Sequence, residues 1–272
     1  MAQPPERAKS SLKLRVVSAL VAAPVALAAV WLGGWGLAIF AAAAAVLMSL
    51  EWSRLTGCDH PHWLPAAMIG TVLAAILAAA LAAFGWAVGL ILATAMAMTA
   101  GGFAQRRLAW AAAGTLYVGP PCIALLWLRG LEPWGLETVL WLFALVWAVD
   151  SGAYFVGRTI GGPRLAPSLS PNKTWAGLGA GVATALLVCL GAAALTGAKL
   201  VPMASLSAGL AIVEQAGDLI ESALKRHFHV KDAGRLIPGH GGLLDRVDGL
   251  VTTLLAVALL TMAAGGSPLA WR

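Results

Sequence analysis

"LPAAMIGTVLAAILAAALAAFGWAVGLILATAMAMTAGGF", Leu64 to Phe103, runs for 40 residues without a charged side chain. Apolar runs of about 18 residues or more can cross about 30 Å of hydrocarbon as helices. Only Phe84-Gly85-Trp86 interrupts this one, so it reads as two spans, at about 64–84 and 86–103. Similar runs recur at approximately 16–33, 35–50, 108–128, 135–157, 175–197, 200–221 and 243–264. Backbone polar groups in lipid must be satisfied within the segment, so such runs become helices. The ten-residue alternation of outer-membrane strands is absent. The expected fold is all-α: a polytopic transmembrane helical bundle of about nine spans.

Composition agrees. The 272 residues are 60% hydrophobic and 11% charged, with a mean hydropathy of +0.84. Small residues at helical spacing, such as Gly177 and Gly181, let helices approach closely in lipid. Residues 1–140 read as N-terminal transmembrane helices and 141–272 as a catalytic transmembrane region with cytoplasmic loops, together one integral membrane unit.

Nine spans with a cytoplasmic N-terminus put fifteen Lys and Arg on the cytoplasmic side, leaving only Arg129, Lys199 and Arg272 outside. That is a strong positive-inside bias, and fusing the doubtful pair into one span would spoil it for the early loops. A pI near 9.7 therefore reports topology and an anionic ligand, with no nucleic acid as partner. The basic N-terminus and first apolar run read as a retained helix, lacking a convincing cleavage site. Cys58, Cys122 and Cys189 are scattered, without CxxC, and read as packing residues. Asp59-His60-Pro61-His62 reads as a polar turn.

One stretch departs from this background. In "KRHFHVKDAGRLIPGHGGLLDRVDG", Lys225 to Gly249, eight of 25 residues carry charge. Nearby acids lie inside apolar spans. Glu214, Asp218 and Glu221, at i, i+4 and i+7, share a face of the eighth helix; Asp245 and Asp248, at i and i+3, share one of the ninth. Asp150 lies late in the sixth. Each costs on the order of 3 kcal/mol at a span's centre. Two of these acids could be polar glue between helices, but six crowded together would repel one another. A divalent cation resolves that, since Mg²⁺ binds through one or two carboxylates plus water and phosphates. Asp218 and Asp245 are the expected metal ligands, with Asp248 and Glu214 about a turn deeper.

The phosphate side is equally visible. In "LSPNKTWAG", Lys173 and Thr174 stand where the seventh helix begins, and "GHGG", Gly239 to Gly242, precedes the ninth. Helix starts aim free N–H groups and a positive dipole end at anions, and glycines let backbone amides approach them. Lys225, Arg226, Lys231 and Arg235 add positive charge. His240 reads either as a phosphate hydrogen-bonder or as a turn contact, whereas His227 and His229 have the spacing of a solvated loop.

"SALKRHFHVKDAGRLIPGHGGLLDRVD", Ser222 to Asp248, resembles the signature of the phosphatidate cytidylyltransferase (CDP-diglyceride synthase) family. Its fixed positions are met by Ser222, Lys225, Arg226, Lys231, Asp232, His240, Gly241, Gly242, Asp245, Arg246 and Asp248. "DSGAYFVGR" and "LSPNKTWAG" are similar to two further blocks, so the resemblance covers about Trp147 to Gly249. Ala176 departs from it, standing where members often carry an acid. The resemblance implies a Mg²⁺-dependent enzyme of the inner (plasma) membrane, dimeric, with its active site facing the cytoplasm. It would join CTP and phosphatidate into CDP-diacylglycerol and pyrophosphate at the bilayer. It implies catalytic roles for Lys225, Arg226, Lys231, Asp232 and Asp248, and metal binding by Asp218 and Asp245. Substrate phosphates would meet Lys173, Thr174, Ser222, His240, Gly241, Gly242 and Arg246. An isoprenoid or ether-lipid acceptor is the alternative, because the signature touches phosphates and not lipid tails. A transporter is disfavoured, since no inverted repeat is found and the acids crowd one membrane face.

Overall fold

The computed structural model describes residues 20–100, 106–234 and 241–271. Among the described residues there are nine α-helices: α1 (Leu20–Leu32), α2 (Gly34–Thr56), α3 (Trp63–Ala80), α4 (Phe84–Ala100), α5 (Arg106–Arg129), α6 (Gly135–Thr159), α7 (Trp175–Thr196), α8 (Leu200–His227) and α9 (Leu244–Ala264). Each expected span meets a helix. Seven of these helices are long and apolar enough to cross a membrane, and α1 and α4 are shorter.

Two details differ from expectation. The break between α3 and α4 comes three residues early, and Phe84-Gly85-Trp86 opens α4 instead of separating the pair. The turn is closed by backbone bonds alone: Ala82 N–H donates to Ala79 O at 3.0 Å and Ala83 N–H to Ala78 O at 2.8 Å. Ala82 sits at φ 59°, taking the left-handed position that glycine usually fills in this C-terminal pattern. The second difference is a two-stranded antiparallel hairpin, β1 (Arg164–Ala166) and β2 (Ser170–Thr174), set between helices α6 and α7. Three and five residues are too short to show a period of two.

The chain divides into two compact units, Met1–Gly119 with Phe228–Val247, and Pro120–His227 with Asp248–Arg272. In the first, α3 packs against both α2 and α4. Trp52 of α2 anchors α5: its indole N–H donates to Trp110 O at 2.8 Å, and its ring stacks on Tyr117 at 5.0 Å. Gly114 makes the room, because a Cβ there would meet the Trp52 ring. Cys58 is buried just beyond α2, and burial pushes its thiol up from the ordinary value. That disfavours the reactive thiolate and leaves a packing residue. Cys122 and Cys189 are also free and buried.

In the second unit α7 packs on both α6 and α8. The small residues flagged in α7 do the expected work. A Cβ on Gly181 would lie 3.0 Å from Val149 of α6, and one on Gly177 would lie 3.0 Å from Ala153 O. Helices α8 and α9 meet just as closely: a Cβ on Gly249 would stand 2.7 Å from Glu214, and one on Gly217 would overlap Thr252. This close packing brings Asp248 of α9 to the acids of α8.

Candidate active site

Lys173 is delivered by β2, immediately before α7 begins. Its Nζ lies 2.6 Å from Asp218 Oδ2 on α8 and donates to Gln215 Oε1 at 3.0 Å. Asp218 Oδ1 accepts from Ser222 Oγ at 3.3 Å, one turn along the same helix. One further turn brings Lys225, whose Nζ is 3.2 Å from Glu221 Oε1. Glu221 also reaches Asp248 of α9, whose Oδ1 accepts from Gly249 N–H at 2.8 Å. On the deeper side Glu214 accepts from Gln215 Nε2 at 2.9 Å and meets Asp150 of α6. Five carboxyls, Asp150, Glu214, Asp218, Glu221 and Asp248, thus converge with two lysines. Glu214 and Glu221 are buried, while Asp218 keeps 28% of its side chain exposed, and Asp150 is exposed as well.

Thr174 is placed differently. It is buried, and its hydroxyl accepts from Gly177 N–H at 3.0 Å, the bond of an N-cap threonine. Arg226, at the end of α8, is exposed.

In the first unit the signature segment folds onto Asp245. Its Oδ2 accepts from Ala233 N–H at 2.9 Å and from Gly242 N–H at 2.8 Å, closing both flanks of the loop on one carboxylate. Gly241 is required twice over: φ is 88°, and a Cβ there would crowd Asp245 Oδ2 at 2.9 Å. Lys231 and Asp232 are exposed, as is Arg246 in the first turn of α9. Lys231 and Asp232 line a cleft of about 750 Å³ together with Glu51, Arg54, Leu50 and Leu55 of α2. His240 and Arg235 lie outside the described residues, as do the first residues of the expected N-terminal span.

Two participants were missed from the sequence. Gln215 orients both Lys173 and Glu214, and its signal was a polar residue beside an acid within a span. Glu51, near the end of α2, faces the signature segment; its signal was an acid near the end of an apolar run.

The donor set suits a hard cation. Among the described residues no group of three or more His, Cys, Asp or Glu is arranged to hold a metal. Mg²⁺ needs only one or two carboxylates, with water and phosphate oxygens completing an octahedron. The excess of carboxyls over lysines around Asp218 fits that chemistry.

A profile of the cytidylyltransferase family matches residues 13–263. The phosphatidate cytidylyltransferase of Brucella suis is 40% identical over 265 residues, covering 92% of this chain and 92% of the relative. That of Pseudomonas aeruginosa is 36% identical over 290 residues, covering 94% and 100% respectively. The Bacillus subtilis protein of the same name is 38% identical over 138 residues, about half of each chain. The match runs through nearly all the apolar helices as well as the charged segments, and the chain belongs to the cytidylyltransferase family.

Proposed function

We propose that the protein transfers a cytidylyl group from CTP to phosphatidate, forming CDP-diacylglycerol and pyrophosphate for phospholipid synthesis. Its family membership and full-length relatives support this reading. The observation that carries it is the meeting of Lys173 and Asp218 at 2.6 Å, a phosphate-seeking cation and an accessible carboxylate delivered by separate elements.

In the proposed step a phosphatidate oxygen attacks the α-phosphorus of CTP in line. A new P–O bond forms, the bond to the β-phosphate oxygen breaks, and pyrophosphate leaves. Phosphatidate is anionic near pH 7, so positioning and charge dispersal supply the catalysis and no strong base is needed. Lys173, Lys225 and Arg226 hold the nucleotide and lipid phosphates, and Asp248 reaches Glu221, the acid that pairs with Lys225. Ser222 keeps Asp218 aligned. When bound, Mg²⁺ supplies Lewis-acid stabilisation of the phosphate charge. The carboxylates that would hold it are Asp218 and Asp245, the aspartates that the family resemblance implies.

CTP is water-soluble and phosphatidate presents its headgroup at the bilayer surface, so the chemistry belongs at the cytoplasmic ends of the helices. The charge bias of fifteen basic residues against three supports a cytoplasmic N-terminus, nine crossings and residence in the inner membrane. A homodimer is the proposed assembly. The test is to incubate purified protein in phosphatidate-containing vesicles with labelled CTP and Mg²⁺. Label in the lipid fraction supports the reading, and its absence at all Mg²⁺ concentrations overturns it.

A further inference from the structure

Glu51 belongs to no part of the signature and lies in α2, yet it is 4% exposed and fully engaged. Its Oε1 accepts from Leu243 N–H at 2.9 Å and its Oε2 from Leu244 N–H at 2.9 Å. These are donors at the start of α9, where a helix leaves its first N–H groups without internal partners. A nearby Ser, Thr or Asp ordinarily caps them; here the acceptor comes from 192 positions upstream. A carboxylate at this end also complements the helix dipole.

Two glycines make room for it. A Cβ on Gly234 would lie 2.5 Å from Glu51 Oε1, and one on Gly242 would lie 2.6 Å from Oε2. Neither glycine has positive φ, so backbone conformation does not demand glycine at either place. The Glu51 carboxylate does. Gly242 is thereby held between two acids, donating its N–H to Asp245 while its α-carbon abuts Glu51. Glu51 grips the segment from outside as Asp245 closes it from within.

We infer that Glu51 is a positioning residue for the transfer reaction, tying α2 to the glycine-rich segment and setting the place of Asp245 at the start of α9. The inference rests on the functional reading above, in which that segment is catalytic. Each bond from a backbone N–H to a buried carboxylate is worth roughly a factor of ten. Glu51→Ala should therefore lower kcat about 100-fold, and Glu51→Gln, whose amide oxygen keeps one bond, about 10-fold. Amide exchange at Leu243 and Leu244 should quicken in Glu51→Ala while α3 and α4 stay protected; general unfolding would expose all three. Gly242→Ala should impair activity alone but add no loss to Glu51→Ala, because the colliding atoms are gone.

The outcomes separate cleanly. A wild type that puts no label from CTP into lipid sinks the functional reading. An active wild type with Glu51→Ala within threefold of it, or with unchanged exchange at Leu243 and Leu244, sinks only the inference. So do losses from Gly242→Ala and Glu51→Ala that multiply. If Glu51→Ala is not recovered folded, Glu51→Gln decides, and wild-type kcat and exchange in that variant overturn the proposal.

Discussion

Replacing Lys173 with methionine keeps the aliphatic stem and deletes the ammonium. The structure sets the scale of the loss. Nζ lies 2.6 Å from Asp218 Oδ2, with the two side chains 14% and 28% exposed, and 3.0 Å from Gln215 Oε1. A hydrogen bond to a charged group contributes about 1.5–3 kcal/mol, and partial exposure pulls the ion pair toward the lower end. Roughly 2 kcal/mol that holds Asp218 in place therefore disappears. A charge-stabilising donor to the reacting phosphate is worth about 2.7–4 kcal/mol more, by analogy with other preorganised donors. Steady-state transfer from labelled CTP to phosphatidate should show kcat/KM down by about 10³–10⁴. Lys173→Met combined with Asp218→Asn should be no worse than the poorer single variant, because the two residues act as a pair. A Lys173→Met enzyme within threefold of wild type would refute the reasoning, as would losses that multiply in the double variant.

Asp245→Asn retains an amide oxygen able to accept from Ala233 and Gly242, so the protein should remain folded in membranes while Mg²⁺-dependent turnover falls by at least about 100-fold; near-normal turnover would remove Asp245 from metal binding. Chelation with EDTA should abolish transfer and Mg²⁺ should restore it, measured as label in lipid; activity persisting in EDTA would exclude an essential divalent ion. Gly181→Leu should lower stability by about 1–3 kcal/mol through overpacking against Val149, read from thermal unfolding in detergent. Thr174→Val should cost about 1 kcal/mol through the lost cap on Gly177, whereas Thr174→Ser should retain it.

The apolar runs carried most of the fold, because lipid compels every long apolar segment to close its own hydrogen bonds. The end of α3 was less legible. An alanine took the left-handed position at residue 82, and nothing in Leu81-Ala82-Ala83 announces a turn as Gly85 does. The hairpin before α7 was hidden by its brevity. Within the site, Asp218 and Lys173 were legible because charge inside an apolar chain is conspicuous. Thr174 was conspicuous as a polar residue at a helix start but spends its hydroxyl on the backbone. Glu51 escaped because its partners are amides nearly two hundred positions away, and backbone donors leave no trace in composition. The segment it touches seemed to need its glycines for phosphate alone.

The carboxylate of Glu51 has a consequence for where this enzyme begins and ends. A shortened version that dispensed with α1–α5 would preserve every letter of the diagnostic pattern from Ser222 to Asp248 and still lack the acceptor for Leu243 and Leu244. On the inference drawn for Glu51, the stretch by which such chains are detected and the smallest piece able to work are different lengths of polypeptide. An early helix that looks like inert membrane ballast, α2, supplies the acceptor at the start of α9.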